Sequence, residues 1–159
     1  MCGNGNESAE LIITRGFHVT EIYSENLMES AIHIRCSESS DLMQNMDSFQ
    51  IFTGTPMYRN PPFISFQRKN ARPVLVTNNG SDVDEAYFVI SIIHADYEKA
   101  SLIVTIIRNL FDSAMWSVNN RSELILRSEI LENDTIQRND AIWEWGMTLR
   151  VRLFRTSGF

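Results

Sequence analysis

Hydrophobic and polar residues alternate with a period of two along much of the second half of the chain. The longest run covers residues 141–154, where every odd position is apolar. Its polar residues occupy even positions: Glu144, Thr148, Arg150 and Arg152. This alternation predicts a strand with one buried and one wet face. Similar runs predict strands at 63–67, 73–77, 86–94 and 123–131, and the apolar 86–94 run is typical of a strand covered on both faces.

Spacings of three and four residues predict two helices. The first begins at Ser24 as N-cap and ends near Arg35, and a short helical turn is expected over 39–46. The second covers 96–115, with Asp96 as N-cap. Its apolar residues are Ala100, Ile103, Ile107, Leu110, Phe111 and Ala114. We expect this apolar face to be buried on the sheet.

The remaining segments are predicted to be irregular or weakly structured. Residues 1–9 are small and polar, and two short apolar runs at 11–13 and 17–23 are interpreted as short strands or an ordered arm. The proline-rich segment 53–62 predicts a loop. The polar segment 132–139 predicts a hairpin loop longer than usual.

Together these elements predict an α+β fold. A mostly antiparallel sheet would carry the long helix on one face, with a second, N-terminal helix. We expect a flexible tail and N-terminal arm over 1–23 and a single domain over 24–159, which is long enough for a sizeable core. The strand at 141–153 would extend ~43 Å at ~3.3 Å per residue. Because a domain of this size is only about 39 Å across, the strand should either bend at Gly146 or reach another subunit.

Composition and charge narrow the possible functions. The 14 Lys+Arg residues against 20 Asp+Glu give a net charge of −6, which argues against a general nucleic-acid-binding protein. No apolar run reaches the ~20 residues of a membrane span, and the first residues lack the features of a signal peptide. The two cysteines, Cys2 and Cys36, form no CxxC motif and are expected to be free thiols. A cytosolic compartment is therefore expected.

The sequence offers little catalytic chemistry. It contains no GxSxG, HExxH, GxxxxGK[ST] or GxGxxG motif. The histidines, His18, His33 and His94, lie in apolar segments without an i, i+4 partner, which favours structural roles. The acidic segment 82–85 lacks the glycine and downstream glutamate of an EF-hand loop and indicates a solvated turn. We predict no enzyme activity, no cofactor and no metal.

The element order also resembles a known family. The resemblance rests on four segments. They are Pro62-Phe63-Ile64-Ser65-Phe66 after a proline loop, Ala86-Tyr87-Phe88-Val89-Ile90-Ser91-Ile92-Ile93-His94, the helix from Tyr97-Glu98-Lys99-Ala100 to Arg108-Asn109-Leu110, and Leu149-Arg150-Val151-Arg152-Leu153. Over residues 24–154 this pattern resembles the tail-completion (tail-terminator) proteins of long-tailed bacteriophages. The stretch 10–23 is additional to the family pattern.

This resemblance implies a structural virion protein of the tail and neck, assembled in the host cytoplasm. It implies a ring, usually of six copies, that stops growth of the tail tube and offers a surface to the head connector. The implied partners are further copies of the chain, the tail tube protein and the connector or neck proteins. DNA would pass through the lumen without specific binding, in accord with the acidic charge. Two alternatives remain: another head-to-tail connector or neck ring, and a small-ligand-binding or enzymatic α+β domain.

Candidate interface residues follow from polar segments that such a ring would expose. The predicted hairpin loop and the arm at 10–23 are expected to contact neighbouring subunits or the tube. The arginines on the wet face of the last strand are either simply solvated or, in a ring, pair with carboxylates of a neighbouring subunit, such as those of residues 82, 84 and 85. The full set is Glu132, Asn133, Asp134, Thr135, Ile136, Gln137, Arg138, Arg150, Arg152, Asp82, Asp84 and Glu85.

Overall fold

A six-stranded sheet forms the centre of the computed structural model, which describes residues 16–54, 60–76, 82–118 and 121–155. Helices pack on one face of this sheet. In chain order the elements are α1 (Gly16–Glu38), α2 (Ser40–Asn45), a 3-10 turn (Ser48–Gln50), β1 (Ile51–Thr53), β2 (Phe63–Val76), β3 (Asp82–His94), α3 (Tyr97–Phe111), β4 (Ala114–Val118), β5 (Arg121–Asn139) and β6 (Ile142–Arg155).

The strand order is β1-β2-β3-β6-β5-β4, and only β1 pairs in parallel among the described strands. The α+β class and the mostly antiparallel sheet are therefore confirmed. β6 lies in the middle of the sheet, with β3 on one side and β5 on the other. Its length is accommodated because both neighbours are also long strands.

The core lies between the sheet and the helices. α3 buries Ala100, Ile103, Val104, Ile107 and Phe111. The side chain of Asp96 accepts hydrogen bonds from the backbone N–H groups at the start of α3, as the sequence predicts. The helix is shorter than the predicted span, because the chain turns at Ser113, whose φ is 51°, and enters β4.

The alternation in β6 is confirmed over most of its length. Odd positions from Trp145 to Leu153 are buried, whereas Trp143 is only half-buried. At Gly146, the position of the predicted bend, β6 pairs with β3 without a shift in register, and the choice between a bend and a contact with another subunit stays a prediction. The irregularity lies in β5 instead: between Leu131 and Thr135 that strand advances four positions while β6 advances two.

The prediction of a hairpin loop over 132–139 is wrong. These residues continue β5, and the turn to β6 consists of Asp140 and Ala141. Asp140 has a φ of 55°, a conformation that aspartate tolerates better than most residues. The bulge after Leu131 explains the difference, because it takes up extra polar residues without ending the strand.

The N-terminal helix begins earlier than predicted. α1 starts at Gly16, so residues 17–23 are helical: the short-strand alternative is wrong, and an ordered arm stays a prediction. Ser24 lies inside the helix rather than at its N-cap. Residues 1–15 lie outside the described residues, and the division of the chain at residue 23 stays a prediction. The runs at 63–67 and 73–77 belong to one strand, β2, whose register shifts twice against β3.

Candidate interaction surface

The sheet has an open face, which we define as the face opposite the helices. It carries the even positions of β6 and the odd positions of β3. One transverse row contains Met115, Arg127, Arg152 and Glu85 on four adjacent strands. The arginines predicted to line a wet strand face therefore do lie opposite the core.

Arg152 and Glu85 form the centre of a polar network on this face. Arg152 Nε lies 2.7 Å from Glu85 Oε2, and the Tyr87 hydroxyl donates to Glu85 Oε1 at 2.9 Å. Arg150 Nη2 lies 2.5 Å from Glu129 Oε2. Glu85 is only 2% exposed, although it is charged and lies away from the helices. The surrounding donors allow this burial, because a buried carboxylate must be paired and hydrogen-bonded.

The charges of this network shift the pKa values of its members. Burial by itself raises the pKa of Glu85. Hydrogen bonds from Arg152 and Tyr87, together with the positive charges of Arg152 and Arg150, lower it by more than burial raises it, so the net shift of the pKa is downward. The hydrogen bond to Glu129 raises the pKa of Arg150. Both side chains therefore remain charged together near neutral pH.

The structure brings several predicted interface residues together within one chain. Glu85 pairs with Arg152, and Asp84 Oδ2 lies 2.7 Å from Arg155 Nη2. These carboxylates are thus engaged inside the chain, so a contact with a neighbouring subunit through them would require an exchange of partners. The side chains of Asp82 and of residues 132–134 lie outside the described part of the structure.

The end of the β5–β6 hairpin is exposed. The described members of the predicted set here are Thr135, Ile136, Gln137 and Arg138. Arg138 is placed 5.2 Å over the ring of Trp143, and Tyr97 packs edge-on against the same ring at 4.9 Å. The tip is therefore an aromatic and polar surface at one end of the sheet.

Two pockets lie at opposite edges of the sheet. One, of about 360 Å³, is next to β4 and is lined by Ser113, Ala114, Met115, Arg127, Ser128, Glu129, Arg150, Arg152 and Phe154. The other, of about 310 Å³, is next to β1 and is lined by Phe49, Gln50, Phe52, Asn60, Pro61, Pro62 and Phe63. Sequence analysis missed both, because Met115 was placed at the end of a helix and Phe49 lies in a segment without periodicity.

Reactive groups are few among the described residues. Burial raises the pKa of the Cys36 thiol to about 12, partly offset by Arg35, which makes this cysteine a poor nucleophile. Burial lowers the pKa of His94, whose Nδ1 accepts a hydrogen bond from the Asp96 N–H at 2.9 Å. The described residues hold no group of three or more His, Cys, Asp or Glu suited to a metal.

None of the helices in the described part of the chain is long and apolar enough to cross a membrane. No family model and no curated protein matches this sequence. The structure is similar to a chain of a solved structure described as "Virion of native gene transfer agent (GTA) particle". The TM-score is 0.63 at 14% identity, over 82% of this chain and 96% of that chain. This protein therefore shares its fold with a chain of a gene transfer agent virion.

Proposed function

We propose that this protein is a structural component of a phage-like virion that forms a ring, of six copies, at the end of the tail tube. In this role it stops tube growth and joins the tube to the head connector. The observation that carries the proposal is the likeness to a gene transfer agent virion chain, 96% of whose length is covered. The independent resemblance of the sequence pattern to tail-terminator proteins supports the same assignment.

The surface of the molecule fits assembly better than catalysis. On the open face Arg150 pairs with Glu129 and Arg152 pairs with Glu85, and the described residues hold no cluster of metal-ligating groups. The exposed hairpin end from Thr135 to Arg138 is available for the tube or a neighbouring copy. A net charge of −6 per copy suits a ring whose lumen passes DNA without holding it. The proposal therefore includes no enzymatic activity, and it places assembly in the host cytoplasm.

A second candidate is another connector or neck ring between head and tail. It is favoured by the same likeness, because the name of the similar structure describes a whole virion rather than one position in it. The two candidates share the assembly physics and differ in which partner they bind.

Two measurements test the proposal. Light scattering of the purified chain should give about six times the 18.3 kDa monomer mass when the ring forms. Purified protein should then cap isolated tail tubes, and imaging should locate it between tube and connector. Binding to connector-filled heads instead of tubes would favour the second candidate. Absence from purified particles would contradict both and would favour a ligand-binding α+β domain.

A further inference from the structure

The two edge strands of the sheet stand next to the most exposed large hydrophobic side chains among the described residues. Phe49, two residues before β1, is 69% exposed, and Met115 in β4 is 65% exposed. β1 has three residues and β4 has five, and within the described residues no strand pairs with the outer side of either. Exposed apolar side chains beside an unpaired strand are typical of contact surfaces.

The β4 edge combines an apolar side chain with a positive charge. Met115 and Arg127 are directly opposite each other on adjacent strands and so share the open face. Arg127 is exposed and is placed 5.4 Å over the ring of Phe154. Within the part of the chain that the structure describes, Arg127 forms no ion pair. This edge therefore offers a flexible thioether beside an available guanidinium.

The β1 edge has the complementary properties. Its pocket of about 310 Å³ is lined by aromatic rings and prolines, and Phe52 packs edge-on against Phe63 at 6.2 Å. The Gln50 Nε2 group donates to the Pro62 carbonyl at 3.0 Å and fixes the wall of the pocket. Asp47, which is exposed, is the N-cap of the 3-10 turn that carries Phe49. This edge therefore offers an aromatic groove beside a carboxylate.

We propose that the β4 edge of one copy docks on the β1 edge of the next copy. Met115 enters the groove between Phe49, Phe52 and Phe63, and Arg127 faces Asp47. Methionine suits this place because its thioether adapts to irregular grooves and contacts aromatic rings favourably. The arginine–aspartate pair fixes the register of the two copies more than it adds affinity.

This contact joins two different surfaces of the same chain. Such a head-to-tail arrangement closes into a ring when the rotation between copies permits, or grows as a filament when it does not. The inference therefore rests on the proposed ring function and supplies the subunit contact that this function requires. It also assigns a role to the pocket next to β1, which the sequence did not reveal.

The apolar half of the contact is tested by Phe49→Ser and Met115→Ser in the full chain. Each should reduce the mass from light scattering to that of the monomer, or raise the concentration for half-assembly at least tenfold. Both side chains are largely exposed, so the melting temperature of the monomer should stay nearly unchanged. Leu102→Ser is the matched control, because Leu102 is also exposed, at 48%, but lies on α3. It should leave assembly intact.

The charged half is tested by exchanging charges. Asp47→Arg alone and Arg127→Asp alone should each prevent assembly, because like charges then meet at the contact. A one-to-one mixture of the two variants should restore assembly, since each now offers a complementary edge to the other. The double variant in one chain should assemble as well. Lys99→Asp, an exposed change on α3, serves as the charge control.

Several results would overturn the docking contact. These are unchanged mass in the serine variants, failure of the mixture and the double variant to recover, or a parent chain that is monomeric at every concentration. Lower melting temperature of Phe49→Ser with unchanged mass would mean that the chain fills its own groove, and would also overturn it. The proposed function is judged separately, by whether the parent chain is present in purified particles.

Discussion

The two faces of the sheet use the same strands in opposite ways. On the helix face, Phe88 and Leu149 are fully buried against the helices. One residue along each strand, Val89 and Arg150 lie on the open face and are half-exposed. The helix face is stabilised by removing apolar surface from water, whereas the open face is stabilised by pairing charges. The open face therefore keeps charged and polar groups at the surface, where a partner can contact them.

Charged residues at the margin of the helix face close the core rather than interrupt it. Arg68 Nε lies 3.2 Å from Glu29 Oε1, and its guanidinium lies 5.2 Å over Phe88. Arg35 donates from Nε to the Leu110 carbonyl at 2.7 Å. Their apolar stems and flat guanidinium groups cover aromatic rings while their polar atoms stay bonded.

Truncating a buried side chain on the helix face should give the largest loss in the free energy of unfolding. Phe88→Ala should lower the free energy of unfolding by about 3–5 kcal/mol, because it removes a fully buried ring and leaves a cavity. Val89→Ala, the adjacent open-face residue, should cost much less. Guanidinium titration of both variants measures the difference. Equal losses would show that the two faces are equally well covered.

Neutralising Glu85, the buried carboxylate of the open face, should give the second-largest loss in the free energy of unfolding. Glu85→Gln should lower the free energy of unfolding by about 2 kcal/mol, because charge-assisted hydrogen bonds from Arg152 and Tyr87 are weakened. Glu129→Gln, whose pair with Arg150 is more exposed, should cost less than about 1 kcal/mol. Urea titration compares the two, and the reverse order would contradict the central role of Glu85.

The third-largest change in stability is expected at Gly146, where the Thr135 side chain of β5 lies close to the backbone of β6. A Cβ at Gly146 would lie 2.6 Å from Thr135 Oγ1, so Gly146→Ala should cost about 1 kcal/mol as the threonine is displaced. In a Thr135→Ala background the same change should be neutral or stabilising, since glycine weakens a strand. Thermal unfolding of the four variants measures this coupling, and additive effects would argue against the contact.

The smallest effect should be a pH dependence at the end of the helix face. Burial lowers the pKa of His94, so the unfolded chain binds a proton at this residue more readily than the folded chain does. The contribution of neutral His94 to the free energy of unfolding is therefore fully present above about pH 6.5. Stability should decline as the pH falls below that value, because protonation also removes the acceptor for the Asp96 N–H. His94→Asn keeps an acceptor and should flatten the decline in unfolding titrations. An unchanged slope in this variant would assign the decline to other groups.

Much of this fold could be predicted because its signals are local. The alternation up to Leu153 determines which side chains share one face of β6, regardless of which strands lie beside it. Asp96 caps α3 through hydrogen bonds within the first turn of the helix. The sequence predicted less of the candidate site. It places Arg152 on the open face, but the hydrogen bond from Arg152 to Glu85 joins residues 67 positions apart, and no local sequence pattern predicts it.

The sequence by itself determined the α+β class, the buried face of β6 and the start of α3, since each depends on periodicity or capping over a few residues. Only the tertiary structure decided that residues 132–139 continue a strand, that β6 is central, and that Phe49 and Met115 stand at opposite edges of one sheet. Strand order and bulges depend on which distant segments pair. That choice is made by the packing of the whole core, and short-range patterns carry little information about it.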